Sequence, residues 1–293
     1  METQPSVPSA ESAAVARRLP FAHGVTAVFI AFLLAQLFGK LVSDIAHAVS
    51  GAPAADGGKL PAEIVVPSML ASEFALLLVA LVTPLVAHLP VRESLDLRSH
   101  RPQVFVAAAV GTVMLGPLGD ALMTQFSRFF PGYTLDVVPT LHELASRLPL
   151  VALWPTFALL PGIAEELLFR GVLQGAMRRG VTAVCVAGAA FALFHVDPVH
   201  VAGVLPLGLF LSWVAYRSST LVTIFAHVAN NSLAVFSIHA AVLDVGYGTG
   251  HALPVSWLIA SLLVFAVAAL VIVNGTRPPD APGESATTVQ TRF

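Results

Sequence analysis

The chain has 293 residues, of which 56% are hydrophobic and only 11% charged, with a net charge of −2. Mean hydropathy is +0.82. Soluble domains carry ~25% charged residues, and nucleic-acid binders carry a basic footprint, so an ordinary soluble globule, a disordered chain and a nucleic-acid partner are excluded. The apolar runs are long and unbroken rather than ~10-residue and alternating, which excludes a β-barrel and leaves an all-α polytopic transmembrane helix bundle.

Residues 1–19 are polar, rich in Pro, Ser and Glu, and read as a disordered cytoplasmic tail. The transmembrane domain is expected over 20–275, and a second polar tail over 276–293. About eight spans are predicted between the tails, near 22–43, 64–88, 103–123, 148–175, 181–197, 199–216, 219–239 and 253–274. A helical crossing needs about 20 residues. The fourth candidate is long and holds Pro155, Pro161 and Gly162, which predicts a kink. The fifth and sixth are short and meet near Asp197-Pro198.

Eight crossings put both termini on one side. That side receives Arg17, Arg18, Arg92, Arg98, Arg101, Arg178, Arg179, Arg217, Arg277 and Arg292. Only Lys59, Arg128 and Arg147 fall in loops on the other. The positive-inside rule then predicts cytoplasmic termini; the membrane itself is expected to be a bacterial cell membrane, crossed several times.

Ionisable groups inside a span cost ~2.5–3.5 kcal/mol each on insertion scales and so require a reason. The fourth span carries Glu165, Glu166 and Arg170. Glu166 and Arg170 are four apart and predict a structural ion pair on one helix face. Glu165 lies ~100° around the helix from Glu166 and is left as the candidate reactive acid. The fifth span ends in Phe191 and His195, and the seventh holds His227, Asn230 and Asn231. His227 and Asn231 again share a face, with Asn230 off it. At ~1.5 Å per residue, Glu165 lies ~20 Å from its span end, His195 ~22 Å, His227 ~10 Å and Asn231 ~16 Å, so three helices offer polar groups to one layer.

A carboxylate, two imidazoles and a carboxamide around one wet pocket suit hydrolysis. The acid takes a proton from water, imidazole orients that water or binds a metal, and His and Asn donors stabilise an oxyanion. Cys185, in an apolar run near Gly188, reads as a buried inert thiol. Gly188 itself predicts close helix packing. Asp44, Glu73 and Asp120 lie in or beside apolar runs, either snorkelling or facing a wet entrance. The other eight histidines, His200 among them, fall at span ends or in loops and are assigned no chemistry.

At these residues the chain resembles the CPBP (Abi) family of CAAX-protease and bacteriocin-processing intramembrane peptidases. EExxxR appears as Glu165, Glu166 and Arg170, followed by Gly171; FxxxH appears as Phe191 and His195; HxxxN appears as His227 and Asn231. The motif core spans 155–235. The resemblance implies an intramembrane endopeptidase that hydrolyses a peptide or protein within or near the bilayer. It implies that Glu165 and His195 activate water, while His227 and Asn231 bind the oxyanion. A metal-independent glutamate mechanism is preferred, and Zn²⁺ on Glu165, His195 and His227 is its alternative. The HExxH spacing of zincins is absent. A non-catalytic scaffold or bacteriocin-immunity protein of the same fold is the runner-up. An ion-coupled transporter predicts repeated halves, which the sequence lacks.

Overall fold

A computed structural model describes residues 19–50, 61–130, 137–177, 180–240 and 253–276. The expected tails lie outside these residues except at their inner edges. Every regular element among the described residues is a helix: α1 Phe21–Ser50, α2 Ala62–Val86, α3 Val91–Ser94, α4 Pro102–Met114, α5 Gly116–Ser127, α6 Val137–Arg147, α7 Leu150–Gln174, α8 Val181–Phe194, α9 Pro198–Arg217, α10 Thr220–Ala240 and α11 Val255–Gly275. Seven helical stretches are long and apolar enough to cross a membrane, α4 and α5 counting as one, and α8 is a shorter apolar helix. The expectation of about eight spans is consistent with seven such stretches and this shorter helix. The chain is an integral, multi-pass membrane protein.

Two details differ from the sequence reading. Only the fifth span is short. α8 has 14 residues, whereas α9 has 20. At ~1.5 Å per residue α8 reaches ~21 Å, less than a ~30 Å hydrocarbon core, so the turn after it stops short of a full crossing. The stretch expected to be a plain loop before the fourth span contains α6. Its Leu144 is buried in a cluster with Leu153, Ala158 and Val235. One apolar stripe on an otherwise polar 11-residue helix suits packing at a membrane face, and no span criterion detects it.

The fourth span is irregular where proline dictates. Pro155 has no N–H to give the ladder, and Pro155–Leu159 adopts π-type hydrogen bonding. A second π-type stretch covers Leu167–Gln174, and all eight of its residues are buried. Wide turns of this kind re-aim side chains and occur often at functional sites.

Hydrogen bonds gather several helix ends on one face. The Thr220 amide donates to the Asp96 carbonyl at 3.1 Å, and the Ser219 hydroxyl to the Arg98 carbonyl at 2.7 Å. Arg217 donates to the carbonyls of Val273 and Thr276. The start of α10 and the ends of α9 and α11 therefore lie with α3 and the loop that leads to α4. This face carries Arg92, Arg98, Arg101 and Arg217, the grouping the charge pattern requires.

α8 and α9 pack backbone to backbone. A Cβ on Gly188 would stand 2.8 Å from Leu209 Cα, and one on Gly208 would stand 2.6 Å from the Gly188 carbonyl oxygen. The close approach predicted at Gly188 is present. Cys185 contradicts its expectation, because it is exposed. Helical spacing turns Ala183, Ala187, Gly188 and Phe191 inward and leaves Cys185 on the outer side with Val181 and Val186.

Candidate active site

α7, α8, α9 and α10 bring the sequence motifs to one region. Glu166 lies at its centre, fully buried. One carboxylate oxygen, Oε1, accepts from Arg170 Nη1 at 2.7 Å and from His227 Nδ1 at 2.9 Å. Arg170 also donates to the Gly208 carbonyl at 2.9 Å, and its guanidinium lies over the Phe191 ring at 4.5 Å. One turn on, Gln174 donates to the Ser212 carbonyl at 2.8 Å. The expected Glu166–Arg170 pair is therefore present, but it is more than a pair. It ties α7 to α9 and orients an imidazole of α10. Spacing along one helix gave no sign of the His227 contact, because that contact arises only from helix packing.

Glu165 points elsewhere, as its helical angle requires. Its side chain is 14% exposed, and its Oε2 stands 3.9 Å from His227 Nε2. This is too long for a hydrogen bond. His227 thus faces both acids, one on each ring nitrogen. A carboxylate only accepts, so Nδ1 carries a proton toward Glu166 and Nε2 faces Glu165.

His195 follows α8 directly. Its Nδ1 lies 3.1 Å from the Phe191 carbonyl oxygen. A carbonyl also only accepts, so Nδ1 is the protonated nitrogen and Nε2 remains the acceptor of the neutral ring. Phe191 forms a shared wall, its ring meeting His195 edge-on at 5.2 Å and His227 at 5.7 Å. Asn231 lies one helical turn past His227, and its Oδ1 accepts from Asn230 Nδ2 at 3.2 Å. Asn230, set off the His227 face by the sequence reading, is thus hydrogen-bonded to the motif asparagine.

Residues 147–233 match a family model described as Type II CAAX prenyl endopeptidase Rce1-like. Over that stretch the chain is similar to the CAAX-protease family. The match runs from the last residue of α6 into α10 and contains all three motifs. No curated protein and no solved structure matches the chain.

Two residues of this site lay outside the sequence assignment. Glu73, on α2, is buried at 7% exposure, its Oε2 has no hydrogen-bond partner, and its charge acts on Glu165. It is buried within the bundle rather than in a snorkelling position. His200, on α9, meets the His195 ring at 4.6 Å. The signal for both was weak in the sequence. Glu73 is a lone acid in an apolar run, and His200 follows a helix break. Of the other two intramembrane acids, Asp44 pairs with Lys40 at 3.0 Å on the exposed side of α1, and Asp120 is buried.

No group of three His, Cys, Asp or Glu among the described residues is arranged to hold a metal ion. Glu165, His195 and His227 are not drawn together into such a group, although the Nδ1–H of His227 on Glu166 leaves Nε2 free, as in a metal-ligating histidine. A cavity of 540 Å³ opens on the arginine-bearing face and is lined by Arg92, Asp96, Arg98, Arg170, Gln174 and Tyr216 among others. It reaches the Arg170 end of the ion pair, but Glu165, His195, His227 and Asn231 do not line it.

Proposed function

We propose that this chain is an intramembrane endopeptidase of the CAAX type that uses Glu165 and His195 to activate water and His227 with Asn231 to hold the oxyanion. The observation that carries the reading is the division of two adjacent acids. Glu166 is held through Oε1 by Arg170 and His227, while Glu165 makes no such bond and faces His227 Nε2 across 3.9 Å. Acid and imidazole are thus near neighbours without a bond between them, and both remain available to a reacting water.

In this reading Glu165 takes a proton from water while His195 Nε2 accepts a hydrogen bond from the other O–H. The water oxygen bonds to the scissile carbonyl carbon, and the carbonyl electron pair moves onto oxygen. The oxyanion accepts from the Asn231 carboxamide and from a protonated His227 Nε2. Glu166 supplies the opposing charge behind that second proton. Collapse of the tetrahedral species breaks the C–N bond, and Glu165 returns its proton to the leaving amine. General acid–base groups of this kind contribute ~10²–10⁴-fold, and each oxyanion donor ~10²–10³-fold.

The experiment uses the full chain in detergent and an internally quenched, farnesylated peptide ending in a CAAX sequence. Cleavage is expected, and it should persist within twofold after exhaustive treatment with EDTA and 1,10-phenanthroline. Loss to chelators with recovery on Zn²⁺ would overturn the metal-independent chemistry. No cleavage of any prenylated or unprenylated CAAX peptide would overturn the substrate class.

We further infer that the arginine-bearing face is cytoplasmic, following the positive-inside rule. In intact bacteria expressing a Cys185→Ser background, a cysteine at Arg147 should react with a membrane-impermeant maleimide. One at Arg101 should react only after lysis. The reverse pattern rejects the orientation.

A further inference from the structure

The turn between α8 and α9 is strained and tightly held. Val196, a β-branched residue, has φ of 63°. Left-handed backbone at such a residue is uncommon and strained, and persists only where the surroundings enforce it. The enforcing contacts are visible. The Asp197 carboxylate accepts from the Val199 amide at 2.9 Å and the His200 amide at 2.8 Å, capping α9. The Asp197 amide in turn donates to the His195 carbonyl at 2.6 Å. Val199, which carries the first of the capped amides, is buried.

This turn sets two imidazoles against each other. The His200 ring meets the His195 ring at 4.6 Å and 68°, closer than the Phe191 ring at 5.2 Å and 73°. With Nδ1 anchored on the Phe191 carbonyl, three contacts fix the His195 ring. The charge of Glu165 also reaches His200. Nothing in the water-activating scheme uses the His200 ring, yet the cap and the strained residue place it beside the two groups that activate water.

We propose that His200 is a positioning residue for His195, its ring holding the His195 imidazole so that Nε2 faces the attacking water. The proposal rests on the peptidase reading for its kinetic consequence but not for its structural one. Misplacement of a reacting group by about 1 Å costs up to ~10²-fold in rate, so a loosened His195 lowers kcat and leaves KM largely unchanged.

The test uses the full chain in detergent with ring-¹⁵N-labelled histidine, the His195 signals being assigned with His195→Gln. Wild type should show one His195 tautomer. In His200→Leu, which keeps bulk without a ring, the His195 nitrogen signals should average. In His200→Phe, which keeps a ring edge without nitrogens, they should return to the wild-type pattern. On the quenched CAAX peptide, His200→Leu should lose kcat roughly ten-fold with KM within about twofold, and His200→Phe should recover most of it. Unchanged His195 signals in His200→Leu overturn the proposal, whatever the substrate. A His200→Phe variant as poor as His200→Leu also overturns it, by showing that the nitrogens rather than the ring matter. Full activity in Glu165→Gln would instead overturn the peptidase reading and leave the nitrogen signals to decide the role of His200.

Discussion

Glu165→Gln should lower kcat on a CAAX peptide by at least ~10³-fold while the protein keeps the thermal stability of wild type in detergent. The size of the loss follows from the two roles given to one carboxylate, which takes a proton from water and returns it to the amine. Gln matches the shape and keeps a polar head but accepts no proton. The preserved stability follows from the surroundings. Glu165 makes no hydrogen bond to a helix partner, its nearest basic nitrogen is 3.9 Å away, and the charge of a second carboxyl, Glu73, opposes its own. Removing a charge from such a place relieves repulsion and desolvation, so the fold loses nothing. Progress curves and melting curves on the same preparation give both numbers. Activity within tenfold of wild type would remove Glu165 from the chemistry.

Arg170→Met should have the opposite signature. It strands the fully buried Glu166 carboxylate and frees the Gly208 carbonyl, and breaking a buried pair in this way costs about 3–5 kcal/mol. Activity falls as well, because Glu166 no longer holds its place behind His227. Glu166→Leu combined with Arg170→Met should recover part of the stability, since apolar replacement removes both buried charges. It should recover none of the activity, since His227 Nδ1 stays without its acceptor. Thermal unfolding of the two single variants and the double closes the cycle. Stability in Arg170→Met equal to wild type would refute the tie between α7, α9 and α10.

The bundle was legible because lipid enforces a simple rule: apolar runs of fixed length mark the crossings. α6 escaped that rule, being polar overall and anchored through a few residues such as Leu144. Cys185 was misjudged because an apolar neighbourhood in sequence means burial in a soluble core, whereas in a bilayer the outside of a helix is just as apolar. The motif residues stood out because ionisable groups are rare in spans. What they do for one another was only half legible. Helical angle separated Glu165 from Glu166, but no periodicity along one chain segment announces that Glu166 will meet His227 or that Glu73 will arrive from α2. Such contacts belong to the packing of helices far apart in sequence, and His200 was hidden for a related reason, beyond a turn whose strained Val196 no propensity predicts.

The unequal bonding of two neighbouring acids has a practical corollary. On the proposed function, Glu165→Gln would give a folded, inserted chain able to retain a peptide without cutting it, a substrate trap. The same change at position 166 would instead loosen the tie that joins α7 to α9 and α10.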